Sequence, residues 1–382
     1  MNIMSSELEG RLDHWIHTLR EDLYTPAFPL HWEVCHPDHP VGIGDLNSQV
    51  FHPVEEGYTW GFSYQYAWFR TTFKVPEDLD GAYLVMDLQP GHEATVFVNG
   101  EAFGAWRADW IKYPHHFMVD NWLSEHAKAG DTYTICMEVY AGHYYTGQES
   151  IACAPGPLLP GLHRDQLKEG NRVTLGHGTI GTWDETAYQL FMDVDVLSSL
   201  LKTLDPDSLR AAKIADALEA FTMTVDFEQP KEKRDEDYRK ARAVLRPALQ
   251  AENGSTMPIF SGIGNAHLDL AWLWPMHETY RKTARTFAAQ LRLLDKYPEY
   301  LFLHSMPACY EMCLEKYPKL YNRILQKIHE GRWIAEGAMW VEPDTNMAGA
   351  EALVRQILYG KKYYKEELGV DSVLLWLPDT FG

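Results

Sequence analysis

Apolar residues change their spacing twice along this 382-residue chain, and each spacing admits one kind of element. Between about 31 and 180 they fall in short alternating runs: "YAWFRTTFKVP" (66–76), "AYLVMDLQ" (82–89), "ATVFVNGEAFGAW" (94–106) and "TYTICMEVYA" (132–141). Asn99-Gly100 in the third run is a hairpin signal, because both central residues of a type I′ turn need positive φ. Strands at this spacing, with no helical pattern between most of them, predict a β-sandwich over 31–180. A Pro/Gly-rich stretch, "CAPGPLLPGLH" (153–163), leads out of it. Between about 184 and 250 apolar residues recur three and four apart, with a break at 205–208 where Ser208 offers a fresh N-cap. That predicts a helical connector over 181–256, with "QPKEKRDEDYRKAR" as a solvated face. Residues 1–30 read as an amphipathic helix followed by an arm.

From about 257 short apolar runs alternate with helical stretches. "PIFSGIGNAHLDL", "YLFLHS", "RWIAEGAMW" and "DSVLLWLP" read as strands, and 276–296, 307–331 (broken near Pro318) and 349–368 as helices. Such alternation means parallel strands joined by right-handed crossovers. Ligands bind just past the C-terminal ends of such strands. His267, Asp269, Ser305, residues 340–346 and Asp379 all fall there.

In extended backbone His267 and Asp269 point to one side. An imidazole nitrogen and a carboxylate oxygen suit zinc, while a plain hydrogen-bonded pair is the other reading. Asp379 follows "VLLWLP" directly, as a catalytic carboxylate, a metal ligand or the N-cap of a following helix. Asp344 in "MWVEPDTN" could bond a substrate hydroxyl or shape its turn with Pro343. Trp272, Trp274 and Trp340 could offer ring faces to a sugar, or fill the core.

A net charge of -20 argues against nucleic acid or an anionic membrane surface as partner, since both need basic patches, and suits a neutral ligand. Thirteen tryptophans and twenty-one tyrosines suit sugar binding as well as large β-rich cores. No apolar run approaches the ~20 residues of a membrane span. The acid-bearing N-terminus lacks the apolar centre of a secretory signal. Five irregularly spaced cysteines predict free thiols in a reducing, cytoplasmic compartment. Cys309 and Cys313, four apart without a second ligand pair, read as buried thiols rather than metal ligands.

"HLDLAWLWP", "EGAMWVEPDTN", "EALVRQILYGKKYYKEELG" and "LLWLPDTFG", in this order, resemble the N-terminal half of the glycoside hydrolase family 38 α-mannosidases. The likeness is to the bacterial and fungal cytosolic or vacuolar type, which carries a β-rich domain before the catalytic one. "HGTIGTWDE" (177–185) and the helical connector also fit that type. The resemblance implies a seven-stranded parallel α/β barrel, of which 257–382 would be the first half. It implies zinc-dependent removal of terminal α-linked mannose from oligosaccharides, with retention of configuration. It also implies that His267 and Asp269 match two zinc ligands, and Asp379 the nucleophile that also binds zinc. Trp272 matches the ring beside the bound mannose, and Trp340 and Asp344 stand as further substrate contacts.

The chain departs from the family pattern at Met306, where an amide is usual, and at Ala338, where a glycine is usual. The family's remaining zinc histidine and its acid/base aspartate have no counterpart up to Gly382. The expectation is therefore the N-terminal part of a longer enzyme, inactive by itself, with a homo-oligomer left open. Two other classes remain: a metal-dependent, deacetylase-like carbohydrate hydrolase, and a non-catalytic carbohydrate-binding protein built on the sandwich.

Overall fold

Helix α1 (Ser6–Asp22) opens where Ser5 accepts a hydrogen bond from the Leu8 amide at 3.1 Å, and Leu8, Leu12 and Leu19 form its buried stripe. The computed structural model, which describes residues 4–62, 64–106, 121–142, 173–271 and 274–380, then enters strand β1 (Tyr24–Pro29). The arm expected from the sequence is thus a strand, with Tyr24 opposite Trp183 in an antiparallel pair. β1 lies at a sheet edge, which tolerates Pro26 and Pro29, and those prolines mask it in the sequence pattern.

The chain continues through β2 (Trp32–Cys35), β3 (His52–Val54), β4 (Thr59–Trp60), β5 (Tyr66–Lys74), β6 (Leu84–Leu88), β7 (Ala94–Val98), β8 (Glu101–Trp106), β9 (Trp122–Ser124), β10 (Thr132–Tyr140), β11 (Val173–Thr174) and β12 (Gly178–Trp183). One sheet has the order β1-β12-β6-β9 and the other β3-β2-β5-β10-β7-β8, while β4 pairs with β11. The β7–β8 hairpin turns at Asn99 (φ 50°) and Gly100 (φ 80°), as its sequence requires. Ala67, Phe69, Ile135, Met137 and Val139 of the larger sheet meet Leu84, Met86, Leu88 and Ile180 of the smaller one in a shared core. Trp68, Phe97 and Cys136 belong to a second buried cluster, so the larger sheet is covered on both faces. For that reason β10 is buried without interruption from Ile135 to Tyr140. The Pro/Gly-rich stretch with Cys153 lies outside the described residues.

Helices α2 (Glu185–Leu201), α3 (Leu209–Thr224) and α4 (Lys231–Leu249) follow, the first two capped by the side chains of Asp184 and Ser208. They pack with α1 around Phe191, Ile214, Phe221 and Tyr238. The charged run of α4 still turns Tyr238, Ala241 and Leu245 inward, three and four apart.

The last third holds β13 (Gly264–Asn265), α5 (Met276–Lys296), β14 (Phe302–His304), α6 (Pro307–Lys316), α7 (Pro318–His329), β15 (Trp333–Ala335) and α8 (Ala350–Glu366). β13, β14 and β15 pair in parallel and in sequence order. The long first strand expected from the sequence is reduced to two residues, and Ile259 and Phe260 before it are 95% and 96% exposed. The expected fourth strand touches the sheet through one parallel bridge, Gly337 to Leu375. The described residues form an open parallel sheet and not a barrel. Outer runs such as 257–263 have no neighbour among them to complete the hydrogen-bond ladder.

Helix α5 joins the two halves. Ala284, Phe287, Ala288, Leu291 and Leu294 pack into the core of the parallel sheet. Its cations face the sandwich: Arg281 pairs with Glu138, Lys282 reaches Glu93 at 2.7 Å, and Arg285 reaches Glu93 at 2.7 Å and Glu278 at 2.8 Å. Arg292 lies over the rings of Phe103 and Trp122, at 3.5 and 4.0 Å from their centroids.

Candidate active site at the strand ends

Four successive strand ends of the parallel sheet each contribute a polar residue to one place. His267 and Asp269 follow β13, Ser305 follows β14, Glu342 lies in the loop after β15, and Asp379 follows the bridged run 373–377. His267 is the hub. Its Nδ1 stands 2.7 Å from Glu342 Oε2, and its Nε2 lies 3.3 Å from Asp269 Oδ1 and 3.7 Å from Asp379 Oδ2. The Ser305 hydroxyl donates to the other oxygen of Glu342.

A neutral imidazole carries one N–H. The Glu342 side chain is 4% exposed and its carboxylate can only accept, so it takes the Nδ1–H. Nε2 is then left as a lone-pair donor facing two carboxylates, an arrangement that a cation between them satisfies, as would the O–H groups of a water molecule. That cation is a proton or a metal ion. Burial is graded across the site: Glu342 is enclosed, His267 and Asp269 are partly covered, and Asp379 is 63% exposed. The outermost carboxylate is therefore the one a ligand meets first.

Hydrogen bonds fasten the segment that carries Asp379. Ser372 Oγ accepts from the Ala338 amide at 3.0 Å and donates to Glu336 Oε2 at 2.6 Å. Glu336 also accepts from the Val373 amide at 3.1 Å. Ala338 sits at φ 61°, a left-handed conformation, which accounts for the glycine usual there.

The other candidates divide. Asp344 Oδ1 accepts from the Asn346 amide at 2.9 Å, and its carbonyl accepts from the Met347 and Ala348 amides, so it shapes the turn into α8. The Trp340 ring meets Tyr363 of α8 edge-on at 5.6 Å and lines a separate cavity with Glu311 and Lys362. Trp274 donates to Thr279 Oγ1 at 3.2 Å, with Lys282 over its ring. Trp272 lies outside the described residues. Met306 is buried in the core at the start of α6 and offers no polar contact at that point. Cys309 and Cys313 are buried free thiols, and burial pushes Cys309 up to about 12.

Sequence reasoning reached Glu342 only as part of the run 340–346, without a role of its own, and missed Glu336 and Ser372. The available signal for Glu342 was its own place after the third strand, two residues before Asp344 in "VEPD". Among the described residues no three or more His, Cys, Asp and Glu side chains are grouped so as to hold a metal ion. The donor types at His267, Asp269 and Asp379, an imidazole nitrogen and two carboxylates, are ones that zinc accepts.

Residues 258–382 match the model of the glycosyl hydrolases family 38 N-terminal domain, and residues 28–157 that of the alpha-mannosidase jelly roll domain. Human alpha-mannosidase 2C1 is 27% identical over 333 residues, 87% of this chain and 30% of the relative. Alpha-mannosidase G of Dictyostelium discoideum is 27% identical over 346 residues, 90% of this chain and 30% of the relative. An alpha-mannosidase of Saccharomyces cerevisiae is 43% identical over 122 residues, 32% of this chain and 11% of its own length. The chain spans 30% of the length of the first two of these relatives.

Proposed function

We propose that this chain, whose residues 258–382 match the glycosyl hydrolases family 38 N-terminal domain and whose residues 28–157 match the alpha-mannosidase jelly roll domain, serves the hydrolysis of terminal α-linked mannose in oligosaccharides. The observation that carries the reading is His267 Nε2, held between Asp269 and Asp379 while Glu342 secures the opposite nitrogen. His267, Asp269 and Asp379 would hold a zinc ion. When bound, zinc would supply positive charge to the sugar hydroxyls and to the carboxylate beside it.

The residues themselves divide the work. Glu342 fixes the His267 ring and its tautomer by taking the Nδ1 proton, with Ser305 bracing Glu342 in turn. Asp379, the exposed carboxylate, would attack the anomeric carbon, the step that defines a retaining glycosidase. A second carboxyl about 5 Å across the scissile bond is needed as acid/base, and none of the residues described here is assigned that part. Further strands would close the parallel sheet into the barrel that the resemblance implies. Cytoplasmic residence belongs to the same reading.

Trapping tests it. Full-length protein incubated with a fluorinated α-mannosyl donor should accumulate a covalent adduct on the peptide that contains Asp379. An adduct on another carboxylate, found by peptide mass spectrometry, would remove Asp379 from this role.

A further inference from the structure

Between the sandwich and the first turn of α5 lies a cavity of about 880 Å³ that none of the strand-end residues lines. Its wall is rich in rings: Tyr58, Phe62, Tyr64 and Tyr66 line it, together with Gln65 and His277. Its rim is locked by short-range bonds. The Phe62 amide donates to Gln65 Oε1 at 2.8 Å, and the Gln65 amide donates back to the Phe62 carbonyl at 3.2 Å. Tyr64 is held at φ 68°, with its amide bonded to the Gly142 carbonyl at 2.7 Å. An aromatic residue in the left-handed region stores strain, and such strain concentrates at ligand-binding places. Gly61 (φ 91°) makes the turn possible, since a Cβ there would meet that of Ala141 at 2.8 Å. Phe62 is thereby left 47% exposed on the rim.

Two carboxylates line the wall, Asp38 and Glu138, and the second is neutralised. Glu138 is paired with Arg281, whose guanidinium also lies 3.9 Å from the centroid of Tyr66. His277 meets Tyr66 edge-on at 5.8 Å, and burial and Arg281 lower its pKa, so it is uncharged at neutral pH. What remains is a set of rings with amide, hydroxyl and imidazole groups and the Asp38 carboxylate between them, all able to bond hydroxyls. That combination fits a neutral polyhydroxylated ring with one C–H face, a saccharide unit.

The cavity also shares a helical turn with the loop that carries Asp269. Tyr66 donates to Glu278 Oε2 at 2.7 Å, and Thr279, the next residue, donates to the carbonyl of Leu270, which follows Asp269. We propose that this cavity is a second glycan-binding site, which holds a saccharide unit further along the oligosaccharide whose terminal residue meets Asp379. The shared oligosaccharide rests on the mannosidase reading; saccharide binding by the cavity does not.

The test is calorimetric titration of the 382-residue chain with α-mannobiose, in wild type, Phe62→Ala and Asp269→Ala. Wild type should bind with a dissociation constant on the order of 1 mM, and Phe62→Ala should weaken binding about tenfold or more. The Phe62-dependent part of the binding should persist in Asp269→Ala and with added chelator. Phe62 is surface-exposed, and Gln65→Ala gives a second lesion at an exposed residue should Phe62→Ala alter the melting curve. Binding lost in Asp269→Ala and kept in Phe62→Ala would put the sugar at the strand ends and overturn the cavity site alone. Absence of binding by wild type at about 20 mM would also overturn it. Binding lost with Phe62→Ala, in a protein whose full-length form cleaves no mannoside, would uphold the cavity and sink the catalytic reading.

Discussion

The carboxylate of Glu342 stands 2.7 Å from Nδ1 of His267, seventy-five residues away in sequence, and is almost wholly shielded from water. Glu342→Gln keeps the shape and removes the charge that fixes the ring. Zinc affinity of the full-length protein should fall about 10–100-fold, the usual loss for a residue that orients a ligand. Competition with a chelator of known affinity measures it. Unchanged affinity would mean that His267 is not a ligand positioned through its Nδ1.

Asp379→Asn should leave the fold intact, because the side chain is mostly exposed. It should lower kcat of the full-length protein by several orders of magnitude, roughly the scale for a lost covalent nucleophile. A loss below about tenfold would assign the attack elsewhere. Asp269→Ala, by contrast, should lose zinc and activity together, as elemental analysis of the same sample would record.

Glu93 holds both Lys282 and Arg285 across the junction between sandwich and α5. Glu93→Gln leaves buried Lys282 with a neutral partner and Arg285 with Glu278 alone. The cost should be about 3–5 kcal/mol in unfolding free energy, read from the denaturant midpoint at unchanged slope. A change within experimental error would show that water reaches the cluster and solvates the cations.

His304 is fully buried against Phe287 and Tyr310, and burial lowers its pKa to about 3. In the unfolded chain the value returns to about 6.5. Between those values the unfolded state binds a proton that the folded state refuses, so stability falls as pH drops below 6.5. From pH 7 to pH 5 this group should remove about 2 kcal/mol. His304→Phe should flatten that part of the stability profile; an unaltered profile would place the acid sensitivity at other groups.

Period and turn chemistry made much of this fold legible. Asn99-Gly100 fixed a hairpin, and the switch to strand–helix alternation after residue 257 announced parallel pairing, which β13, β14 and β15 make. The same positional rule put His267, Asp269 and Asp379 at strand ends, where the structure brings them around one nitrogen. Residues whose meaning depends on a distant partner stayed hidden. Nothing near Glu342 points to His267, and nothing near Ser372 points to the amide of Ala338. β1 escaped because its prolines suit an edge strand, and an edge exists only once the other strands are in place. Residues 257–263 erred the other way, since an apolar run becomes a strand only beside a neighbour.

The cationic face of α5 bears on how this molecule can be taken apart. Read in isolation, Arg281, Lys282, Arg285, Arg292 and Lys296 look like the wet side of an ordinary surface helix. In the folded chain they are sealed under the sandwich, against Glu93, Glu138 and the rings of Phe103 and Trp122. Cutting the gene in the connector to express the mannosidase-like half alone would strip Glu93, Glu138 and the covering rings from that face and uncover its five cations, of which Arg285 keeps its pair with Glu278. Such a product should cling to polyanions and cation-exchange resins more than the 382-residue chain, at a net charge of -20, would. The jelly roll is thus the lid of the first helix of the mannosidase-like half, and the sensible unit for expression, crystallisation or directed evolution is the two together.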